Sequence, residues 1–133
     1  MKNYKVRYAL IFTVAVLACT IFLFYIEGRS NNYKVFEEKS PDQKYTVEVY
    51  QTDHAQKPNG SVPFKAILID DESGKEVAFY ENYLFIDGRL LTSQMIDAQW
   101  NNEDVVIIVD MAAGRNGKIT LTYSGEGYAA FTG

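Results

Sequence analysis

Three aspartates, Asp97, Asp104 and Asp110, fall on or beside two consecutive strand-like segments joined by the turn "NNED". Carboxylates that meet across such a pair supply an acid and a base or nucleophile, the chemistry with which glycosidases cut polymers. An envelope-polymer hydrolase would require all three to converge in a cleft; ordinary strand-end acids meet the same spacing without one. The single histidine, His54, lies in the polar stretch "TDHAQKPNG". Its neighbour Asp53 points elsewhere in extended backbone, so a solvated or structural histidine is expected. Asp70, Asp71 and Glu72 offer oxygens but lack the periodicity of a calcium loop, and a solvated turn after a strand is expected. No second histidine supports zinc and no glycine-rich loop leads into a helix to hold phosphate. The sequence therefore predicts no catalytic residue, no metal and no cofactor.

Binding is better provided for. Seven of the ten tyrosines follow residue 30, at positions 33, 45, 50, 80, 83, 123 and 128. At a surface, tyrosine brings contact area at little entropic cost; covering a small core is the competing use. The stretch "YENYLF" nominates Tyr80, Tyr83 and Phe85 as a contact patch, with Tyr50 as a further outward-facing ring.

The segments that would position these residues read as antiparallel β. "KYTVEVY" puts Tyr45, Val47 and Val49 on one face and Thr46 and Glu48 on the other, after a turn set by Pro41 and Asp42. "FKAILID" follows, and "DESGKE" turns the chain back into "VAFYENY". Asp87-Gly88, between the apolar runs of "YLFIDGRLLT", is the strongest short hairpin signal in the chain. "MIDAQW" alternates, with Ile96, Ala98 and Trp100 on one side. Val105 to Val109 are five consecutive β-branched residues, which predicts a central strand covered on both faces. In "KITLTY", Thr120 and Thr122 predict one wet face. The glycine-rich end predicts a loose tail or short edge segment. No internal repeat is evident. The fold class expected is all-β: an N-terminal transmembrane helix, then a small antiparallel meander or sandwich.

Tyr8 to Ile26 is 19 residues without a charge, enough for a helix of roughly 28 Å, the thickness of a bilayer core. Lys2, Lys5 and Arg7 precede it and Glu27 follows, which predicts a cytoplasmic N-terminus and an exported domain. Tyr8 and Tyr25 sit near the two ends of the run, where amphipathic rings favour the membrane interface. The boundaries expected are a basic tail over 1–7, the span over 8–26, a linker over 27–34, a β domain over 35–125 and a flexible tail over 126–133. The only cysteine, Cys19, lies within the span, so no internal disulfide is available to the domain. "AVLAC" also resembles a bacterial lipobox, which would make Cys19 a lipidation site. Against cleavage there, "TIFLFYI" continues the apolar run, whereas lipoproteins turn polar after the cysteine. Both anchors remain open, the retained helix being preferred.

Setting aside Lys2, Lys5 and Arg7 leaves ten basic residues against seventeen acidic ones, a net −7. Scattered acidity of this kind excludes nucleic acid as a partner and disfavours a domain lying flat on anionic lipid.

"SPDQKYTVEVY", "IDDESGKEVAF" and "AQWNNEDVVIIV" together resemble one blade of the propeller repeats that open with SPDGK. A propeller needs four or more blades, and the chain has room for one. It is more similar to small membrane-anchored bacterial exported families of unknown function with an SPDGKY-like motif, some of which serve as immunity factors against secreted toxins. Gln43 stands where that pattern has glycine, which disfavours a left-handed turn. The span, its flanking charges and the tyrosines predict a bacterial cytoplasmic-membrane protein whose exported domain is a non-catalytic module for a protein partner; the resemblance implies the narrower, immunity-like role. An accessory subunit of a membrane complex is the alternative.

Overall fold

The computed structural model describes residues 2–29, 32–52, 60–86, 90–111 and 114–132. It divides into two units, residues 1–31 and 32–133.

The first unit is one helix, α1 (Lys2–Arg29). Its stretch from Asn3 to Phe24 is long and apolar enough to cross a membrane. Apolar side chains ring it on every side, as a lipid-facing helix requires. The hydroxyls of Thr13 and Thr20 donate to the carbonyls of Ala9 and Val16, each at 2.8 Å, so the polar groups inside the run are satisfied by the helix itself. Cys19 lies mid-helix with an exposed thiol. The helix runs past the expected span at both ends, taking in most of the 1–7 tail and reaching Arg29 in the 27–34 linker. The side chain of Tyr25 lies outside the described residues.

In the second unit, strands β1 (Tyr33–Lys39), β2 (Tyr45–Gln51), β3 (Ser61–Asp70) and β4 (Glu76–Phe85) form one antiparallel meander. Strands β5 (Ile96–Trp100), β6 (Asp104–Asp110), β7 (Asn116–Thr122) and β8 (Gly127–Thr132) form a second in the same order. The all-β expectation holds, in its sandwich form. Alternate residues of both sheets meet in one core: Val47 and Val49, Phe64 and Leu68, Val105 and Ile107, Ile119 and Leu121, all fully buried.

The two sheets repeat one plan, which the sequence hides. Tyr45 pairs with Asp70 in the first and Asp104 with Thr122 in the second. Just outside each pair, the Asp71 N–H donates to Lys44 O and the Tyr123 N–H to Glu103 O, both at 3.0 Å. Each second turn then closes on a left-handed glycine, Gly74 and Gly125. These four turns lie at one end of the sandwich.

The connection from β4 to β5 crosses between sheets. The hairpin expected at Asp87-Gly88 lies outside the described residues, but its flanking runs do not pair: β4 is an edge of the first sheet and β5 an edge of the second. Ile86 and Leu91, 0% and 5% exposed, plug the core instead, so burial outweighs the local turn signal. Residues 127–132, expected in the flexible tail, pair with β7 as an edge strand. Tyr33 and Lys34, expected in the linker, begin β1.

β6 is central within its sheet, but only one of its faces is covered. Val106 and Ile108 are half-buried on the outer face, where their cross-strand neighbours are Gln99, Thr120, Asp97 and Lys118. Thr120 is correspondingly drier than expected, at 9% exposed between Val106 and Tyr128. Gln43 adopts φ 60, so the left-handed turn forms without the glycine. Ser40 and Asp42 hold it: Ser40 Oγ donates to Asp42 Oδ1 at 2.6 Å, and the Lys44 and Tyr45 N–H groups donate to Asp42 Oδ1 and Ser40 Oγ.

Candidate binding face

Period-two geometry sorts the nominated residues. Along β4, Phe79, Tyr83 and Phe85 face outward, 52%, 53% and 41% exposed. Tyr80 faces the other way, half-buried, with its ring 6.0 Å from that of Phe64. Residues three apart cannot share a face of a strand, so Tyr80 and Tyr83 were never one patch, and Phe79 is the member the sequence reading missed. The alternation in "FYENYLF" carried that signal.

Across the first sheet's outer face, Phe79 pairs with Ile67, Glu81 with Lys65 and Tyr83 with Pro63. Lys65 Nζ sits 5.2 Å from the Phe79 ring centroid and 3.9 Å from a Glu76 oxygen. A shallow depression of about 270 Å³ lies beside Tyr83, lined also by Thr52, Pro63, Glu81 and Asn82. The β4 half of the face is thus aromatic.

The β1–β2 half is polar. Tyr50 shares this outer face, opposite Lys65. Its hydroxyl donates to Glu48 Oε2, and Lys34 Nζ bridges Glu37 Oε2 at 2.6 Å and Glu48 Oε1 at 3.2 Å. Burial, then the Glu48 carboxylate, push the Tyr50 phenol up to about 12. The bonds from Glu37 and Glu48 raise the Lys34 ammonium well above its ordinary value. Tyr50 is therefore a held member of a network, and Phe79, Tyr83 and Phe85 supply the exposed rings.

The carboxylates considered for hydrolysis do not converge. Asp104 and Asp110 stand at opposite ends of β6, about 20 Å apart at a strand's rise per residue. Asp97 pairs with Ile108 near the far end from Asp104. Two of the 70–72 acids are engaged: Asp70 accepts from the Glu72 N–H and Ser73 Oγ within the turn, and Asp71 accepts from Thr46 Oγ1 of β2 at 2.7 Å. Among the described residues no three His, Cys, Asp or Glu side chains form a metal-binding group. His54 lies outside the described residues.

No protein-family model, characterised protein or solved structure matches the chain.

Proposed function

We propose that the chain is a single-span membrane protein, N-terminus inside, whose exported sandwich binds another protein without catalysis. The observation that carries this reading is the row of Phe79, Tyr83 and Phe85, exposed on one face of an edge strand. Large rings left in water at period two are a cost to a monomer and a gain at an interface. Lys65 and Glu81 beside them supply the polar contacts that fix register. The length and all-round apolarity of α1 support the anchor, and the basic residues before it support the orientation. Toxin immunity, as the narrower function, rests on the sequence resemblance alone.

The test is site-specific photocrosslinking in intact cells, with the reactive side chain at Tyr83 or, on the second sheet's outer face, at Lys118. A discrete adduct from Tyr83 that is absent from Lys118 and lost in Phe79→Ser supports the reading. Equal adducts from both positions, or none from Tyr83, would sink it.

A further inference from the structure

The sandwich has four edge strands, and they are not equally protected against pairing with another chain. β1 carries Lys34, Glu37, Glu38 and Lys39 among its seven residues, and its register with β2 shifts between Lys34 and Phe36. β5 has only five residues, Asp97 among them, and its Trp100 Nε1 donates to Glu38 Oε1 of β1 at 2.9 Å. β4 carries Glu76 and Glu81, and its backbone at Val77 and Phe79 lies against Gly125 and Gly127. Charges, bulges, short length and cover are the devices that keep an edge from adding a strand. β8, "GYAAFT", has no charge and no proline, and its register with β7 is unbroken from Gly127 to Thr132. Tyr128 and Phe131 are 53% and 47% exposed, and Ala130 between them is exposed as well.

The Thr122 N–H donates to Glu126 O at 2.8 Å, which starts the β7–β8 ladder. Alternation from there makes Thr120–Tyr128, Lys118–Ala130 and Asn116–Thr132 the hydrogen-bonded pairs. The N–H and C=O groups of Ala129 and Phe131 therefore point away from β7, toward the free edge. We propose that β8 pairs antiparallel with β8 of a second copy of this chain, so that the two β5–β8 sheets become one. A row of outward donors and acceptors recognises extended backbone, and a second copy brings the matching uncharged, unguarded edge. The side chains choose the register. With Ala130 on the two-fold axis, Ala129 faces Phe131 of the second copy in a hydrogen-bonded pair, and Phe131 faces its Ala129. Each of these rings meets a small residue, and alanine at the axis lets the two backbones close. With Ala129 on the axis instead, Phe131 would face Gly127 of the second copy, whose inner side β4 already occupies at Phe79. A two-fold contact is closed, so both free edges are covered and no fibre grows from them. It lies on the second sheet and does not rest on the partner proposed for the first.

The experiment uses the full chain with Cys19→Ser in detergent micelles, kept in excess so that chains do not share a micelle by chance. Ala130→Cys is compared with Gln99→Cys, which lies on the same face of the sheet at its opposite edge; both positions are exposed. Antiparallel partners that are not hydrogen-bonded have Cα atoms about 4.5 Å apart, within the range of a disulfide. Under mild oxidation Ala130→Cys is therefore expected to form a disulfide-linked dimer about tenfold faster than Gln99→Cys. Equal rates at the two positions overturn the contact. Ala129→Pro, added to Ala130→Cys, removes an N–H from the free edge and leaves the bonds to β7 in place, so the dimer should be lost. Undiminished cross-linking in the folded proline variant rules out strand pairing. Ala130→Lys gives a measurement that needs no proline: the parent is expected to sediment as a dimer and the lysine variant as a monomer. A monomeric parent, or a lysine variant that remains dimeric, overturns the self-pairing. In intact cells, an Ala130→Cys adduct to a different protein in place of the dimer would put another chain's strand on β8, and equally overturns it.

Discussion

The rings of Tyr45 and Tyr123 stack with centroids 4.4 Å apart and planes 3° from parallel, joining the start of β2 to the turn that follows β7. One ring comes from each sheet, so the pair ties the two meanders at the end where the turns gather. The Tyr123 hydroxyl also donates to Asn101 O at 2.9 Å, which links it to the β5–β6 turn. A double-mutant cycle on Tyr45→Ala and Tyr123→Ala, read from urea unfolding in micelles, should give a coupling of about 1 kcal/mol. Tyr123→Phe keeps the stack and should lose about 1 kcal/mol for the missing hydrogen bond. Additive single mutants would mean that the rings do not support each other.

At the β4–β8 side the sheets meet backbone to backbone. A Cβ added at Gly127 would stand 2.0 Å from the Phe79 carbonyl oxygen, an atom no rotamer change can move. Gly127→Ala should therefore destabilise by about 3 kcal/mol or more, at or beyond the upper range for overpacking. Gly114, at φ +71 with open space around it, is the control. Gly114→Ala has only left-handed strain to bear, about 1 kcal/mol. Thermal unfolding of the two variants should separate clearly, and equal midpoints would contradict the close approach of β8 to β4.

Most strands were legible because period two is a local property: "KYTVEVY" and "MIDAQW" occupy their strands nearly as their alternation predicts. Whether consecutive strands pair is not local. After β4, Asp87-Gly88 favours a tight turn, but Ile86 and Leu91 gain more by entering the core between the sheets. The repeat was hidden for a related reason. The β1–β2 turn spans residues 40–44 and its counterpart 101–103, while 71–75 corresponds to 123–126, so no constant sequence period exists. At the binding face, Tyr80 drew notice by residue type, although its parity placed it on the buried side with Phe64.

Gln43 holds φ 60 in the turn between β1 and β2, a conformation that strains any side chain with a Cβ. Gln43→Gly should raise stability by roughly 0.5–1 kcal/mol, the relief of strain exceeding the added entropy of the unfolded chain. Gln43→Val should lower it, since a β-branched residue tolerates this region least. Paired urea titrations decide the matter. A glycine variant less stable than the parent would show that the Gln43 side chain contributes something the backbone strain does not reveal.

Tyr50 gives the outer face a distinct alkaline response. Burial and the Glu48 carboxylate raise its phenol to about 12 in the folded chain, whereas in the unfolded chain it ionises near 10. A raised folded value means that its contribution to stability is complete below pH 10 and is lost as pH climbs from about 10 through 12, because the unfolded state releases the proton first. Tyrosinate absorbance of the full chain should therefore show a late phase that Tyr50→Phe removes. Glu48→Gln should shift that phase toward the ordinary range by removing the negative charge beside the phenol and leaving only a neutral amide oxygen as acceptor. Lys34 opposes the shift weakly, since its own charge favours the phenolate. If Tyr50→Phe instead deleted a phase near pH 10, the hydroxyl would not be held against Glu48 as the structure places it.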